Sequence, residues 1–192
     1  MLDPDRSASE TAIFWRPEFV ASVLQIEAAP PVFRTARRLE HLDLTNATLH
    51  VQHGSGRAVV LPDPDGDHHL VVAAIDPTQP LALLLPLDDS FHIRAEAALR
   101  FHRRLFGRAT GPPPRALTLT PRHRLRLTRM VRALDGRSSG ATYREIAAVL
   151  FESHRQSATE WKTSSIRAQT IRLVKDGQAM MRGGYLRLLA GR

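Results

Sequence analysis

Residues 141–174 constrain the fold of this chain most, because they predict two helices joined by a polar connection. The first helix is predicted at residues 142–151, where one side is apolar at spacings of three and four: Ile146, Val149 and Leu150. The second begins after a cluster of good N-cap residues: Thr163, Ser164 and Ser165. The connection, residues 152–162, is longer than the usual turn of a helix–turn–helix motif.

The second helix has two different faces. Its predicted buried face consists of Ile166, Thr170, Leu173 and Val174. Its predicted exposed face carries Ser165, Ala168, Gln169 and Arg172. Small, amide and arginine side chains on a capped helix are suited to reading base edges in the DNA major groove. The alternative is a helical bundle whose arginines are simply solvated.

Charge is divided unevenly between the two halves of the chain. Residues 1–99 contain 7 Lys or Arg and 14 Asp or Glu, a net charge of −7. Residues 100–192 contain 20 Lys or Arg and 5 Asp or Glu, a net charge of +15. Arg outnumbers Lys 25 to 2, which also fits a compositional bias, but a bias alone would not segregate the charge. The basic half is therefore expected to contact a polyanion.

The acidic half predicts a β-rich domain. Short apolar runs between turn residues predict strands at residues 22–27, 48–52, 58–61 and 69–75, and a strand or short helix at 81–85. The three from residue 48 to 75 are expected to form an antiparallel meander. Residues 1–10 are expected to be a frayed terminus.

A helix is predicted from Ser90 to Gly107. Its predicted apolar stripe consists of Phe91, Ala95, Ala98, Leu99, His102, Leu105 and Phe106. Its other face carries Arg94, Arg100, Arg103 and Arg104, which we interpret as the start of the basic region. The run Gly111-Pro112-Pro113-Pro114 then predicts a semi-rigid linker.

The basic half adds a third helix. Thr120 is a good N-cap before Pro121, and Asp135-Gly136 predicts that the helix ends near Leu134. Its predicted core residues are Leu127, Met130, Val131 and Leu134. Its outer ridge carries Arg122, Arg126 and Arg129.

These observations predict an α+β protein. An N-terminal antiparallel β-rich domain with a helix (1–110) is followed by a Pro-rich linker (111–116) and an all-helical helix–turn–helix domain (117–192). No cysteine, signal peptide or membrane-length apolar run is present, so we expect a cytoplasmic protein with no membrane contact.

No catalytic or metal-binding constellation emerges from the sequence. His50 and His53, three residues apart in a predicted strand, fall on opposite faces. The acidic turn at residues 63–67 lacks the spacing of a calcium loop. We expect no enzymatic activity, no cofactor and no metal; Tyr143 and Tyr185 leave DNA strand transfer as an alternative.

The series RLTRMVRALDGRSSGATYREIAAVLF, EWKTSSIRAQTIRLVKDG and MRGGYLRLL resembles the C-terminal part of the DUF2285 family of proteobacterial regulators. This family includes RovC-like activators and FseA-type activators of integrative and conjugative elements. FWRPEFVASVLQI is similar to the front half of longer members. The resemblance implies a transcription regulator with a ParB-like or related helix–turn–helix, acting on genes for element excision, conjugative transfer or type VI secretion. It also implies that Trp161 packs the turn against the bundle.

The predicted partner is double-stranded DNA. Arg122, Arg126, Arg129 and Lys162 are predicted phosphate contacts, and Ser165, Gln169 and Arg172 are predicted base readers. The resemblance implies base or phosphate contacts also for Ser164 and Arg167, and Lys175 completes the set.

The acidic domain is expected to serve homo-oligomerisation or contact with RNA polymerase or an antiactivator. FseA-type relatives carry a further upstream domain, which implies a missing upstream domain or partner subunit here. An alternative function is an antiactivator, or another protein-binding module, that sequesters a homologous activator.

Overall fold

The computed structural model describes residues 16–42, 44–53, 56–152 and 158–191. The chain divides into two compact units: Met1–Thr118 with Leu188–Arg192, and Leu119–Arg187. A sheet occupies the first and helices make up the second, so the predicted α+β class is confirmed. Residues 1–10, the predicted frayed terminus, lie outside the described residues.

The first unit contains a five-stranded sheet. The strands are β1 (Leu24–Ala28), β2 (Thr48–His53), β3 (Gly56–Leu61), β4 (His68–Ala73) and β5 (Leu81–Leu84). Their order is β2-β3-β4-β1-β5. The antiparallel meander of β2, β3 and β4 is confirmed.

One strand pairing differs from the expected antiparallel sheet. β1 pairs antiparallel with β5 but parallel with β4, where Ile26 lies opposite Val72. Alternating apolar residues predict that a strand has a buried face, but they do not encode the direction of its neighbour. The parallel pairing therefore could not be read from β1 alone.

Helix α1 (Phe91–Leu105) packs on one face of the sheet, and Gly107, with φ +62°, follows its end as predicted. The predicted apolar stripe was right at Ala98 and Leu105, which contribute to the core, and wrong for most of its other residues. The buried residues are Ile93, Arg94, Ala97, Ala98, Arg100 and Phe101, whereas Phe91, Leu99 and Phe106 are 41–59% exposed. The core face is therefore rotated relative to the prediction.

The arginines of α1 explain this rotation. Arg100 donates hydrogen bonds to the carbonyl oxygens of Gly111 and Gly66, both at 2.9 Å. Arg94 binds the Asp88 carboxylate at 3.0 Å. Buried guanidinium groups are stable here because their N–H groups are satisfied.

The other two arginines are also bound within the unit. Arg103 donates to the Thr110 carbonyl, and Arg104 donates to the Pro62 carbonyl and the Asp63 carboxylate. All four arginines of α1 thus have partners within the first unit. Their interpretation as the start of the basic region stays a prediction.

The boundaries of the units differ from the predicted domains. Residues 111–116, the predicted linker, belong to the first unit. Gly111 explains this, because its N–H donates to Asp65 at 2.9 Å while its carbonyl accepts from Arg100. The C-terminal residues return to the first unit too, where a Cβ on Gly191 would lie 2.7 Å from Ile93.

The second unit is helical. Its helices are α2 (Pro121–Ser138), α3 (Tyr143–Phe151), α4 (Ala158–Thr163) and α5 (Ser165–Ala179); a wide turn, Met180–Gly184, leads to α6 (Tyr185–Leu189), which crosses the unit boundary. The buried core combines residues of α2, α3 and α5: Met130, Ala133, Ile146, Leu173 and Val174.

Helix α2 is longer than predicted. It continues past Gly136 to Ser138, and the chain turns at Gly140, where φ is +86°. Gly136 serves close packing instead of termination, since a Cβ there would lie 3.0 Å from Ile146 of α3. Val131 and Val149, both predicted in the core, are 57% and 63% exposed because the three-helix core takes only a narrow stripe of each helix.

The predicted polar connection contains α4. Trp161 on this helix is half-buried, and residues 153–157 lie outside the described part of the chain. Within the described residues, no helix is long and apolar enough to cross a membrane.

Candidate nucleic-acid interface

Helix α5 begins directly after its N-cap residue, Ser164. The side chain of this residue accepts a hydrogen bond from the Ile166 N–H at 3.1 Å, which satisfies one of the free amides of the first turn. Further along, the Thr170 hydroxyl donates to the Ile166 carbonyl at 2.8 Å, so a polar side chain can be buried. The cap and the buried stripe together fix which face of α5 is exposed.

The predicted faces of α5 are confirmed. Thr170, Leu173 and Val174 are buried, and Ile166 is partly buried. The predicted DNA-contacting residues of this helix are all exposed: Ser165, Arg167, Gln169, Arg172 and Lys175.

The exposed residues of α5 do not form one line. At about 100° per residue, Ser165, Ala168, Arg172 and Lys175 form a stripe opposite the buried face. Gln169 lies about 60° from Arg172 on one flank, and Arg167 lies about 140° away on the other. The geometry therefore groups Ser165, Arg172 and Lys175 and separates Arg167 from them.

The predicted arginine ridge of α2 is largely engaged within the unit. Arg126 donates to the Asp176 carboxylate of α5 at 2.5 Å. Arg129 is half-buried, with its guanidinium 5.3 Å from the centre of the Phe151 ring. Arg122, at the start of α2, is exposed.

Two exposed arginines were missed by sequence reasoning. Arg124 and Arg132 lie on the outward side of α2, opposite the core residues Met130 and Ala133. The sequence signal for these two arginines was the position of the apolar residues around α2. The prediction that Val131 lies in the core shifted the predicted buried face and hid this signal. Lys162, on α4 just before the cap of α5, is exposed as expected.

Several carboxylates of the described residues take part in caps and turns. In the described segments, no group of three His, Asp or Glu side chains could hold a metal ion. Glu145 belongs to the capping box of α3, and hydrogen bonds from the Thr142 N–H and hydroxyl lower its pKa. Asp63 of the acidic turn binds Thr110 and Arg104.

A compact three-helix unit with an exposed, capped helix and basic surroundings is typical of DNA-binding domains. Residues 84–190, more than half of the chain, match a family model described as the DNA-binding domain of a T6SS transcription factor, the RovC DNA-binding domain. The chain belongs to this family, and it is a DNA-binding transcription regulator. No curated protein and no solved structure matches it. The match supports the RovC-like part of the resemblance; the FseA-type part stays a prediction.

Proposed function

We propose that this regulator binds a discrete site in double-stranded DNA by placing α5 in the major groove. The observation that carries this proposal is the exposed stripe of α5, which lies opposite a buried stripe in a basic unit. Arg172 is suited to a bidentate contact with guanine and Gln169 to one with adenine, while Ser165 suits either.

The proposed phosphate contacts lie in this stripe and around it. Lys162 and Ser164 lie at the start of α5, and Arg167 and Lys175 lie along it. The N-terminus of α5 offers free amide groups and a partial positive charge to phosphates. Arg122 is the phosphate contact of α2, since Arg126 and Arg129 have partners within the unit.

We infer further that the regulator activates type VI secretion genes. The family description names a T6SS transcription factor, which favours secretion genes over genes of mobile elements. The first unit would serve contact with RNA polymerase or formation of a homo-oligomer. An increase in transcription next to the bound site, when the chain is expressed, would support activation; a decrease would contradict it.

Selection of bound fragments from genomic DNA tests the proposed reading helix. At near-physiological salt, the wild-type chain is expected to recover one recurring motif, with inverted half-sites if it binds as a dimer. Arg172→Ala and Gln169→Ala should blur this motif. Arg132→Ala removes an exposed arginine from the outward side of α2, and this variant is expected to recover the same motif as the wild type.

Other outcomes have clear meanings. If Arg172→Ala left the motif unchanged, α5 would not be the reading helix. If the wild-type chain bound no DNA but formed a stable complex with a homologous activator, it would be an antiactivator.

A further inference from the structure

Helix α5 carries a single carboxylate, Asp176, beside its DNA-facing stripe. Asp176 follows Arg172 by one helical turn, and at about 100° per residue the two lie about 40° apart around the helix. An acidic side chain at this position opposes the approach of phosphates. Its presence on a helix that otherwise carries only cationic charge calls for a physical reason.

The carboxylate of Asp176 binds Arg126 of α2 at 2.5 Å. The Asp176 side chain is 36% exposed and that of Arg126 is 52% exposed, so the pair lies at the surface. An exposed pair of this kind contributes little to stability. Stability alone therefore gives a weak reason for a carboxylate at this place.

Close packing of α2 and α5 brings the two side chains together. Next to Asp176, Gly177 packs against Leu134 so closely that a Cβ on the glycine would lie 2.8 Å from Leu134. One turn after Arg126, Met130 is buried in the core with Val174. Arg126 thus emerges at the border between α2 and α5, where it can reach either Asp176 or a phosphate bound beside α5.

We propose that Asp176 limits the DNA affinity of this regulator by holding Arg126 away from the phosphate backbone. This inference rests on the proposed role of α5. In wild-type protein Arg126 is neutralised by Asp176, so it releases no counterion from DNA. Neutralising Asp176 frees Arg126 for one more phosphate contact, which strengthens binding to every sequence and leaves the preferred site unchanged.

The size of the effect follows from counterion release. One added phosphate contact steepens the slope of log K against log salt by about 0.9. Between 1 M and physiological salt this corresponds to about fivefold tighter binding. Asp176→Asn is expected to show both changes on the selected site and on a scrambled duplex.

Fluorescence anisotropy over a salt range of about 0.05–0.3 M measures these slopes. Asp135→Asn is the matched control, because it makes the same charge change at an exposed position on α2 and should leave the slope unchanged. The double variant Asp176→Asn with Arg126→Met should return to the wild-type slope, since the released arginine is then missing.

Arg126→Met alone provides a second test that keeps Asp176. It exposes the negative charge of Asp176 beside α5, so its slope is read against that of the charge-neutral double variant. If Arg126 already contacted phosphate, the double variant itself would have a slope about one unit lower than that of the wild type. That result, an unchanged slope in Asp176→Asn, or a steep slope persisting in the double variant would overturn the proposal. A different result would show that α5 is not the reading helix: Arg172→Ala would leave the selected motif unchanged.

Discussion

Leu134 of α2 lies directly against the backbone of Gly177 in α5: a Cβ built on this glycine would be 2.8 Å from Leu134 Cδ1. Real Cβ atoms do not approach neighbours this closely, so any side chain at position 177 must move α2, α5 or Leu134. Glycine inside a helix costs about 1 kcal/mol relative to alanine. The close approach of the two helices offsets that cost and fixes the position of the exposed stripe.

Gly177→Ala is therefore expected to lower the free energy of unfolding by about 1–3 kcal/mol, despite the better helix propensity of alanine. Chemical denaturation followed by circular dichroism measures this change. Leu134→Ala creates space at the same place, so Gly177→Ala should cost less in that background. Equal costs in both backgrounds would show that Leu134 is not the obstacle.

Arg100 is expected to be essential for the stability of the first unit. Its guanidinium is buried and donates to the carbonyls of Gly111, Gly66 and Asp65. Arg100→Met should lower the free energy of unfolding by more than about 2 kcal/mol, because three partly buried hydrogen bonds to the buried guanidinium are then lost. Arg108→Met is the control, since this arginine is exposed and its loss should cost less than about 0.5 kcal/mol. A similar effect of both substitutions in urea denaturation would contradict the expected role.

Buried His68 predicts that the first unit loses stability in mild acid. Burial, and then repulsion from Arg100, lower the pKa of His68 from 6.5 to about 4, while Asp63 partly opposes the shift. Burial lowers the pKa of His69 as well. Between pH 6.5 and about 4 the unfolded chain binds more protons than the folded chain, so stability falls as pH falls.

For His68 the loss across this window is on the order of 3 kcal/mol. Urea denaturation at a series of pH values measures it. His68→Gln should flatten the dependence, although it also lowers stability at neutral pH, whereas His92→Gln at an exposed position should leave the slope as in wild type. A wild-type chain equally stable at both ends of the window would contradict the lowered pKa.

Local signals in the sequence were sufficient for much of the fold. Thr120 caps α2 and Ser164 caps α5 as predicted, because a cap depends on residues within one turn. The buried and exposed faces of α5 also followed from spacing. The phase of α1 did not, because Arg94 and Arg100 are buried with hydrogen bonds to distant backbone carbonyls that periodicity does not reveal.

The DNA-contacting arginines could not be predicted fully for the same reason: their partners within the fold are not visible in the local sequence. Residue type alone assigned Arg126 and Arg129 to phosphates, but their surroundings include Asp176 and Phe151. Those partners lie 50 and 22 residues away along the chain. A basic residue is available for DNA only if the fold leaves it without a nearer partner, and this condition depends on long-range packing.

Ser164 allows the stability of α5 to be separated from its contact with DNA. Its side chain caps the helix, and Asn and Asp are equally good caps. Both Ser164→Asn and Ser164→Asp should therefore unfold within about 0.5 kcal/mol of wild type. The two variants differ in charge, and a negative charge at the start of α5 repels phosphates that approach this terminus.

Ser164→Asp is accordingly expected to bind DNA about fivefold more weakly at physiological salt, the effect of about one phosphate contact, while Ser164→Asn binds nearly as wild type. Fluorescence anisotropy with the selected site measures the difference, and thermal unfolding confirms that both variants are folded. Because the cap is retained in both, a loss confined to the aspartate variant reports the proximity of phosphate. Equal DNA affinity of the two variants would place the start of α5 away from the DNA backbone.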